Sequence, residues 1–426
     1  MDRRRSTAAA LPRGALALAL VALVLRIGLI AATDGYAPVH DALDYDRHAR
    51  SIAAGDGYPP PILVLDRSTP SAFRPPLYPH TLALVYKVAP GTQTAGRLAG
   101  ALLGAISVLL LFVIADRLWG RPVAWVAASL SAVFPPLVAL SGALTVESLF
   151  IPIELGLVLA VLGYTRTGAL RWAALGGALC GLAWLTRANG FILALPLVWG
   201  IVAARSRPTL RGSLGISAIA LVIAALIVAP WAIRNAIAFD GKFIPVSDTF
   251  GYGLAGTYND QARSDPEKKG EWRPPNEVPD NVPIFLRRGN DEAEIDDELG
   301  EKALRYIADH PGYAIEAPLL NGYRLLNPLA SSQLTEISYD AMNIPDRLRD
   351  VVTYSYLAVA LLAGLGAVLA VRRRELGPLW LWSIPILVGL SFAILSGEPR
   401  YRTTLDPFFL LLAAVALVRI AELRRA

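Results

Sequence analysis

The stretch His40-Asp41-Ala42-Leu43-Asp44-Tyr45-Asp46-Arg47-His48 carries three carboxylates and two imidazoles within nine residues. At helical spacing Asp41 and Tyr45 share one face, and His40, Asp44 and His48 share another. A carboxylate so presented can take a proton from a hydroxyl as a general base. It can equally cap the free amides at a helix start, and both readings of Asp41 stay open on spacing alone. His40, Asp44 and His48 could ligate zinc from one face, but a fourth ligand is not evident, so no metal or other cofactor is expected. A further acid, Glu147, stands in SGALTVESLF. Arginines stand near the ends of apolar runs: Arg74 in FRPPLYP, Arg187 in LTRANG, Arg234 in PWAIRN, and Arg400 and Arg402 in GEPRYR. A guanidinium donates a bidentate fork to phosphate. Alternatively each arginine snorkels to a lipid headgroup from the end of a span. Arg74, Arg234 and Arg400 have Pro or aromatic neighbours in separate segments that can converge on one phosphate. Arg26 and Glu154 lie inside apolar runs, where a charge is expensive and is functional or paired by default; Arg26 is expected to neutralise a carboxylate.

The elements that must position these groups are membrane spans. The chain has 426 residues, 54% hydrophobic and 18% charged, with a mean hydropathy of +0.46. Soluble domains are about 45–50% apolar and about 25% charged. The apolar residues run in blocks of 14 to 21, against the ~20 needed to cross ~30 Å of hydrocarbon. This excludes a soluble single-domain enzyme, a disordered chain and a disulfide scaffold. The net charge of +5 does not imply nucleic acid, because the basic residues sit in short gaps between apolar blocks. Arginine outnumbers lysine 35 to 5, which reads as a high-GC bacterial coding bias. The single Cys180 permits no intrachain disulfide. The apolar stretch after Met1–Arg5 is too long for a signal-peptide core and lacks a good cleavage site, so it reads as an uncleaved anchor.

Ten spans are expected: Gly14–Thr33, Leu98–Ala115, Pro122–Leu140, Ser148–Tyr164, Trp172–Leu185, Gly190–Ala204, Ser213–Trp231, Val351–Val371, Leu379–Leu395 and Pro407–Ile420. Alternate gaps hold Arg117 and Arg121, Arg166 and Arg171, Arg205, Arg207 and Arg211, Arg372 to Arg374, and finally Arg424 and Arg425. With Arg3, Arg4, Arg5 and Arg13 cytoplasmic, the positive-inside rule puts both termini inside. Three parts follow: an N-terminal transmembrane module, 1–231, with a first outer catalytic loop at 34–97; an extracytoplasmic loop region, 232–350; and C-terminal transmembrane helices, 351–426. Leu77–Val88 is too short to cross and reads as an interfacial helix. The acidic, Pro-rich stretch Asn259–Glu301 reads as a solvated, partly disordered loop, the alternative being a lid over an external site. No internal repeat is visible, which weighs against a transporter or lipid flippase, the competing function class.

These stretches resemble the polyprenyl-phosphate-sugar-dependent glycosyltransferases of the GT-C fold, in the group of protein O-mannosyltransferases and the lipid A aminoarabinose transferase. HDALDYDRHARSIAAGDGY is similar to the family's first outer loop and FRPPLYPHTLAL to its basic-Pro-Pro-Leu element, with Arg74 where Lys is frequent. GRLAGALLGAISVLLLFVIADRLWGRPVAWVAASLSAVFPPLVALSGALTVESL is similar to its second to fourth spans, and PWAIRNAIAFDGKFIPVS and GEPRYRTTLDPF to two later elements. Two departures stand out. The acidic pair of the first loop is often Asp-Glu, whereas Ala42 follows Asp41 here. Many relatives also carry a folded C-terminal domain, so an acceptor-binding module is expected to be missing or supplied by another protein. The resemblance implies an all-α polytopic bundle of about ten transmembrane helices with extracytoplasmic juxtamembrane helices, in a bacterial inner membrane. It implies an inverting hexosyl or pentosyl transferase taking sugar from a polyprenyl-phosphate donor to an acceptor on a glycan, lipid or protein, without nucleic acid. The expected catalytic residues are Asp41 as general base, with Asp44 and Glu147. The expected substrate- and phosphate-binding residues are Tyr45, Arg74, Arg187, Arg234, Arg400, Tyr401 and Arg402.

The arginine pattern makes a topology prediction. Reporter fusions after Arg207 and Arg373 should report cytoplasm, and those after Pro60 and Pro274 the outside. One inverted result among the four would break the ten-span arrangement.

Overall fold

The computed structural model describes residues 11–59, 70–89, 93–204, 209–287, 289–327, 329 and 332–424. Arg3, Arg4, Arg5, Pro60, Arg205, Arg207 and Arg425, used in the topology expectation, lie outside them. The described residues form nineteen α-helices and three 3-10 turns, with no strand among them. In chain order these are α1 (Arg13–Ala32), α2 (His40–Ala54), α3 (Leu77–Val88), α4 (Gln93–Trp119), α5 (Arg121–Val133), α6 (Pro135–Leu140), α7 (Glu147–Thr167) and α8 (Leu170–Thr186). A 3-10 turn (Ala188–Leu193), α9 (Ala194–Val202) and α10 (Leu210–Ala238) follow. Next come α11 (Phe250–Thr257), α12 (Asp260–Ser264), α13 (Val282–Phe285), α14 (Glu292–Asp309), α15 (Pro311–Leu326) and α16 (Gln333–Ala341), gathered at the end of the bundle that carries α2. The chain then runs through α17 (Asp346–Arg372), α18 (Leu379–Leu395), a 3-10 turn (Pro399–Thr404) and α19 (Asp406–Leu423).

All ten expected spans fall on helices, the third divided between α5 and α6 and the sixth opening in the 3-10 turn. Five helices (α1, α4, α7, α10 and α17) are individually long and apolar enough to cross a membrane. At 1.5 Å per residue the 27 residues of α4 rise about 40 Å. Lipid offers backbone amides no partner, so an uncharged apolar run that enters it must be helical. The chain is a multi-pass membrane protein.

The break in the third span has a local cause. Phe134 precedes Pro135 and takes an extended conformation (φ −64°, ψ 112°), because the proline ring disfavours a helical residue before it. Pro136 has no N–H to return to the Ala132 carbonyl. Arg26 of α1 supplies the missing donor: Nη1 donates to the Ala132 carbonyl at 3.2 Å and to the Ala22 carbonyl at 3.0 Å, and Nε donates to Ser141 Oγ at 3.2 Å. Arg26 therefore spends its charge on carbonyls and a hydroxyl, which corrects the expectation that it neutralises a carboxylate.

The described residues of 259–301, all but 288, are folded, contrary to the reading of this stretch as a solvated, partly disordered loop. Ile284, Phe285, Ile295 and Leu299 from this stretch join Leu254, Tyr258, Tyr313 and Ala317 in a second apolar core under α11, α13, α14 and α15. The start of α14 is fixed by a capping box: the Asp291 side chain accepts from the Glu294 amide, and the Glu294 side chain accepts from the Asp291 amide. High acid content hid a helical apolar stripe. Leu77–Val88 forms a twelve-residue helix, α3.

Close packing of α8 on α10 sets the bundle's width. A Cβ added at Gly177 would stand 2.2 Å from the Ala220 carbonyl oxygen, and one at Gly181 would stand 2.8 Å from that of Ala224. Small residues one turn apart allow such backbone contact between helices. Gly177→Ala should therefore cost about 1–3 kcal/mol of overpacking and lower the melting temperature in detergent. Gly215→Ala on α10, with nothing within 4 Å of the added carbon, should leave it unchanged or raise it. Equal melting of the two variants would refute this packing.

Candidate active site

The amphipathic face of α2 opens the site. His40, Asp41, Asp44, Tyr45 and His48 all line one cavity of about 460 Å³. Their offsets of three, four and seven residues explain the shared face. Asp46, one position off, turns away and accepts from Tyr86 Oη at 2.7 Å. The helix begins at His40, whose φ of 49° is unusual for a residue with a side chain. Val39 is the cap position and no side chain caps the amides, so Asp41 is not a helix cap.

Asp41 is instead held between two arginines far away in sequence. Its Oδ1 accepts from Arg74 Nη2 at 2.7 Å and its Oδ2 from Arg400 Nη2 at 2.5 Å. Arg74 also donates from Nε to Asp44 Oδ2 at 2.6 Å, and its guanidinium lies 5.1 Å from the Tyr45 ring centroid. The fork of one guanidinium thus spans both carboxylates of α2. Pro75 and Pro76 follow it, and the Tyr58 hydroxyl fixes the Arg74 carbonyl at 2.5 Å.

Beyond Arg400 the charges continue to alternate. Arg400 Nε lies 3.1 Å from Glu398 Oε1 and 3.8 Å from Glu147 Oε1, and Glu147 accepts from Arg187 Nη1 at 2.5 Å. Glu147 starts α7 and is fully buried. The loop before it is tied down by Arg97, which donates to the Gly142 carbonyl at 2.6 Å and to that of Thr33 at 3.1 Å. Arg187 follows α8 in extended conformation and lies 4.6 Å from the Tyr401 ring and 4.9 Å from that of Phe392. Arg400 is aimed by the tight turn before it. Gly397 has φ 65°, and a Cβ there would stand 2.6 Å from the Asn321 backbone oxygen.

Of the expected residues, Asp41, Asp44, Tyr45, Arg74, Arg187, Arg400 and Tyr401 line the cavity, and Glu147 stands directly behind Arg187 and Arg400. Two arginines are elsewhere. Arg234 donates to the Ser71 carbonyl at 2.8 Å and packs 4.9 Å from the Trp231 ring. Arg402 lies 3.5 Å from Asp406 Oδ1, with its guanidinium 3.4 Å from the Tyr356 ring centroid. Glu398, Glu292, Tyr252 and Trp272 also line the cavity and were not singled out from sequence. Glu398 could have been, since it stands two residues from Arg400. Trp272 and Glu292 come from the acidic stretch. His48 Nδ1 lies 2.8 Å from the Asp44 carbonyl oxygen, and among the described residues no three His, Cys, Asp or Glu side chains are grouped to hold a metal ion.

The field inside the site follows from this pairing. Burial by itself would raise the Asp41 carboxyl, but the Arg74 and Arg400 guanidiniums outweigh it and hold Asp41 well below the usual carboxylate range. Asp44 is lowered against its own burial by Arg74 and His48. Glu292 behaves oppositely. It accepts from the Ala72 amide at 2.9 Å, yet burial pushes it up to about 7. Asp248 beside it is also raised, by burial and then by Glu292.

A raised carboxyl makes stability pH-dependent with a definite sign. The native state keeps a proton on Glu292 that the unfolded chain releases near 4.5. Over that interval the native state binds more protons, so stability falls as pH rises from about 5 toward 8. Each tenfold preference for the protonated form is worth about 1.4 kcal/mol. Glu292→Gln, which can still accept from the Ala72 amide, should flatten the fall in melting temperature over this range. An unchanged slope would mean Glu292 titrates as an ordinary carboxylate.

Residues 73–233 match the family model of dolichyl-phosphate-mannose-protein mannosyltransferases. No protein of curated function matches the chain in sequence. Among solved structures, the oligosaccharyltransferase AglB from Archaeoglobus fulgidus, in complex with an inhibitory peptide and a dolichol-phosphate, is similar with a TM-score of 0.54 at 13% identity over 96% of this chain and 50% of that one. The apo form of the Archaeoglobus fulgidus oligosaccharyltransferase gives 0.55 at 12% identity over the same shares. ArnT from Cupriavidus metallidurans bound to undecaprenyl phosphate aligns over 96% of this chain and 77% of its own at 16% identity, with a TM-score of 0.43, too loose to support a reading. The chain spans about half the length of the two archaeal structures. The fold is similar to that of the two archaeal oligosaccharyltransferase structures, and residues 73–233 match the family model of dolichyl-phosphate-mannose-protein mannosyltransferases.

Proposed function

We propose that this protein is a membrane glycosyltransferase that moves a hexosyl or pentosyl group from a polyprenyl-phosphate donor to an acceptor hydroxyl, with inversion. The acceptor belongs to a glycan, lipid or protein, the reaction occurs on the extracytoplasmic face of a bacterial inner membrane, and both termini are cytoplasmic. The observation that carries this reading is Asp41 between Arg74 and Arg400 in a 460 Å³ cavity. The family match over residues 73–233, which include Arg74, Glu147 and Arg187, supports it.

The chemistry follows from charge competition. A lipid phosphate entering the cavity draws the forks of Arg74 and Arg400 away from Asp41, because guanidinium pairs with phosphate bidentately. Asp41 then recovers ordinary basicity and takes the proton from the acceptor hydroxyl. That oxygen bonds to the anomeric carbon from the face opposite the phosphate. The bond from the anomeric carbon to the phosphate oxygen breaks, and polyprenyl phosphate leaves with the electron pair. The two guanidiniums stabilise charge growing on the leaving oxygens. Asp44 keeps Arg74 in place, and Glu147 does the same for Arg187 and Arg400. Arg187 and Tyr401 form the far wall against the sugar, and Tyr45 supports Arg74 from below. Arg234 acts through the backbone at Ser71 and Arg402 through the turn that carries Arg400.

Asp41→Asn keeps the shape and removes proton acceptance, so transfer should fall roughly 10²–10⁴-fold while binding of undecaprenyl phosphate is retained. Transfer is read as loss of sugar from the polyprenyl-phosphate pool. Arg74→Ala and Arg400→Ala should each weaken undecaprenyl phosphate binding by about 1.5–3 kcal/mol, with Lys restoring only part. Arg234→Ala should weaken it less. Full activity in Asp41→Asn, or full rescue by Lys at both arginines, would overturn this mechanism.

A further inference from the structure

Helix α15 carries a second apolar stripe on the side that points away from the protein. Its exposed residues at helical spacing are Ile315 (68% exposed), Leu319 (69%), Tyr323 (60%) and Leu326 (46%). Its two charged residues both have protein partners. Glu316 pairs with Lys269 at 2.7 Å, and the buried Arg324 donates to the Lys269 carbonyl at 2.6 Å and lies 4.0 Å from Glu271. Tyr313 and Ala317 on the opposite face belong to the second apolar core. A helix bordered by water puts its apolar stripe inward and its charges outward. Here one apolar face is buried, a second apolar stripe points away from the protein, and Arg324 is turned inward.

The position of α15 says what covers the stripe. The helix lies along the apolar α18, the ninth expected span: a Cβ at Gly322 would touch the Ala393 Cβ at 3.7 Å, and Asn321 crowds Gly397 just past the end of α18. Ile386 and Leu390 of α18, within two turns of Ala393, are themselves 65% and 50% exposed. The outward stripe of α15 therefore continues a lipid-facing surface of the bundle. At sixteen residues, α15 is too short to cross. An amphipathic helix of this kind settles at the boundary between headgroups and acyl chains, with tyrosine favoured there.

We propose that α15 lies in the membrane leaflet on the α2 side, with Ile315, Leu319, Tyr323 and Leu326 covered by lipid acyl chains. The immersed helix fixes the height of the cavity, since α15 packs on the end of α18 whose Phe392 and Leu395 line it. It also holds the folded stretch Asn259–Glu301 on the bilayer through the Lys269 and Glu271 contacts. The inference rests on packing and exposure alone and stands whether or not the protein transfers sugar.

The test is site-directed spin labelling of the full chain with Cys180→Ala, reconstituted in vesicles of phosphatidylethanolamine and phosphatidylglycerol. Labels at Ile315→Cys, Leu319→Cys and Tyr323→Cys should collide with oxygen more than with a water-soluble nickel chelate. A label at Glu301→Cys, on the exposed side of α14, should show the reverse. Nickel collision at the three α15 positions matching that at Glu301→Cys would place the stripe in water and overturn the proposal. Exclusion of both reagents would mean that a second copy or another protein covers the stripe, which overturns it equally. Three independent positions keep the test readable if one labelled variant does not fold.

Discussion

The structure depends on a row of six alternating charges: Asp44, Arg74, Asp41, Arg400, Glu147 and Arg187. Each is taken largely out of water, and each is offset by neighbours of opposite sign. Removing one member of such a row leaves an uncompensated charge in a low-dielectric site, which costs more than the pair itself contributes. The row is therefore satisfied as a set. Its members come from five separate places: α2, the stretch before α3, the start of α7, the turn after α8, and the 3-10 turn before α19. The fold must bring those five ends to one level.

It does so by breaking helices at chosen points and neutralising what each break exposes. Pro135 and Pro136 end α5 and turn the chain toward Glu147, and Arg26 fills the carbonyl they leave without a donor. Arg97 performs the same service for the loop at Gly142. Gly397 allows the chain to turn against Asn321 so that Arg400 points inward. Buried arginines here have two jobs. Some hold irregular backbone at membrane depth, where carbonyls would otherwise lack partners, and others face the cavity. Only the second kind is available to an anionic ligand.

The cavity and the membrane are linked through α18. Its last turn lines the site with Phe392 and Leu395, while α15 packs alongside and shows apolar side chains outward. On the function proposed above, the lipid-linked donor would place its polar head in this chamber and its hydrocarbon tail toward α18 and α15. The folded stretch that carries the second apolar core also borders the chamber, which Tyr252, Trp272 and Glu292 line.

Much of this was legible in the sequence, and the physical reasons for success and failure differ. Apolar blocks of membrane length must be helical in lipid, so composition alone placed the ten apolar runs on helices. A period near 3.6 likewise paired Asp41 with Tyr45 and grouped His40, Asp44 and His48 on α2, and the structure turns both sets to the one cavity. Asn259–Glu301 was misread because composition averages over the period: its acids mask Ile295 and Leu299, spaced one turn apart in α14, and the Asp291–Glu294 capping box that announces the helix. Which arginines reach Asp41 was beyond the sequence. Arg74, Arg234, Arg400 and Arg402 share side chain, setting and position near the ends of apolar runs. Arg74 and Arg400 meet Asp41, Arg234 is spent on the Ser71 carbonyl, and Arg402 turns away to Asp406 and Tyr356. Local periodicity determines which face a residue occupies on its own helix. The meeting of two guanidiniums 326 residues apart at one carboxylate depends on how the helices between them pack, and that only the tertiary structure decided.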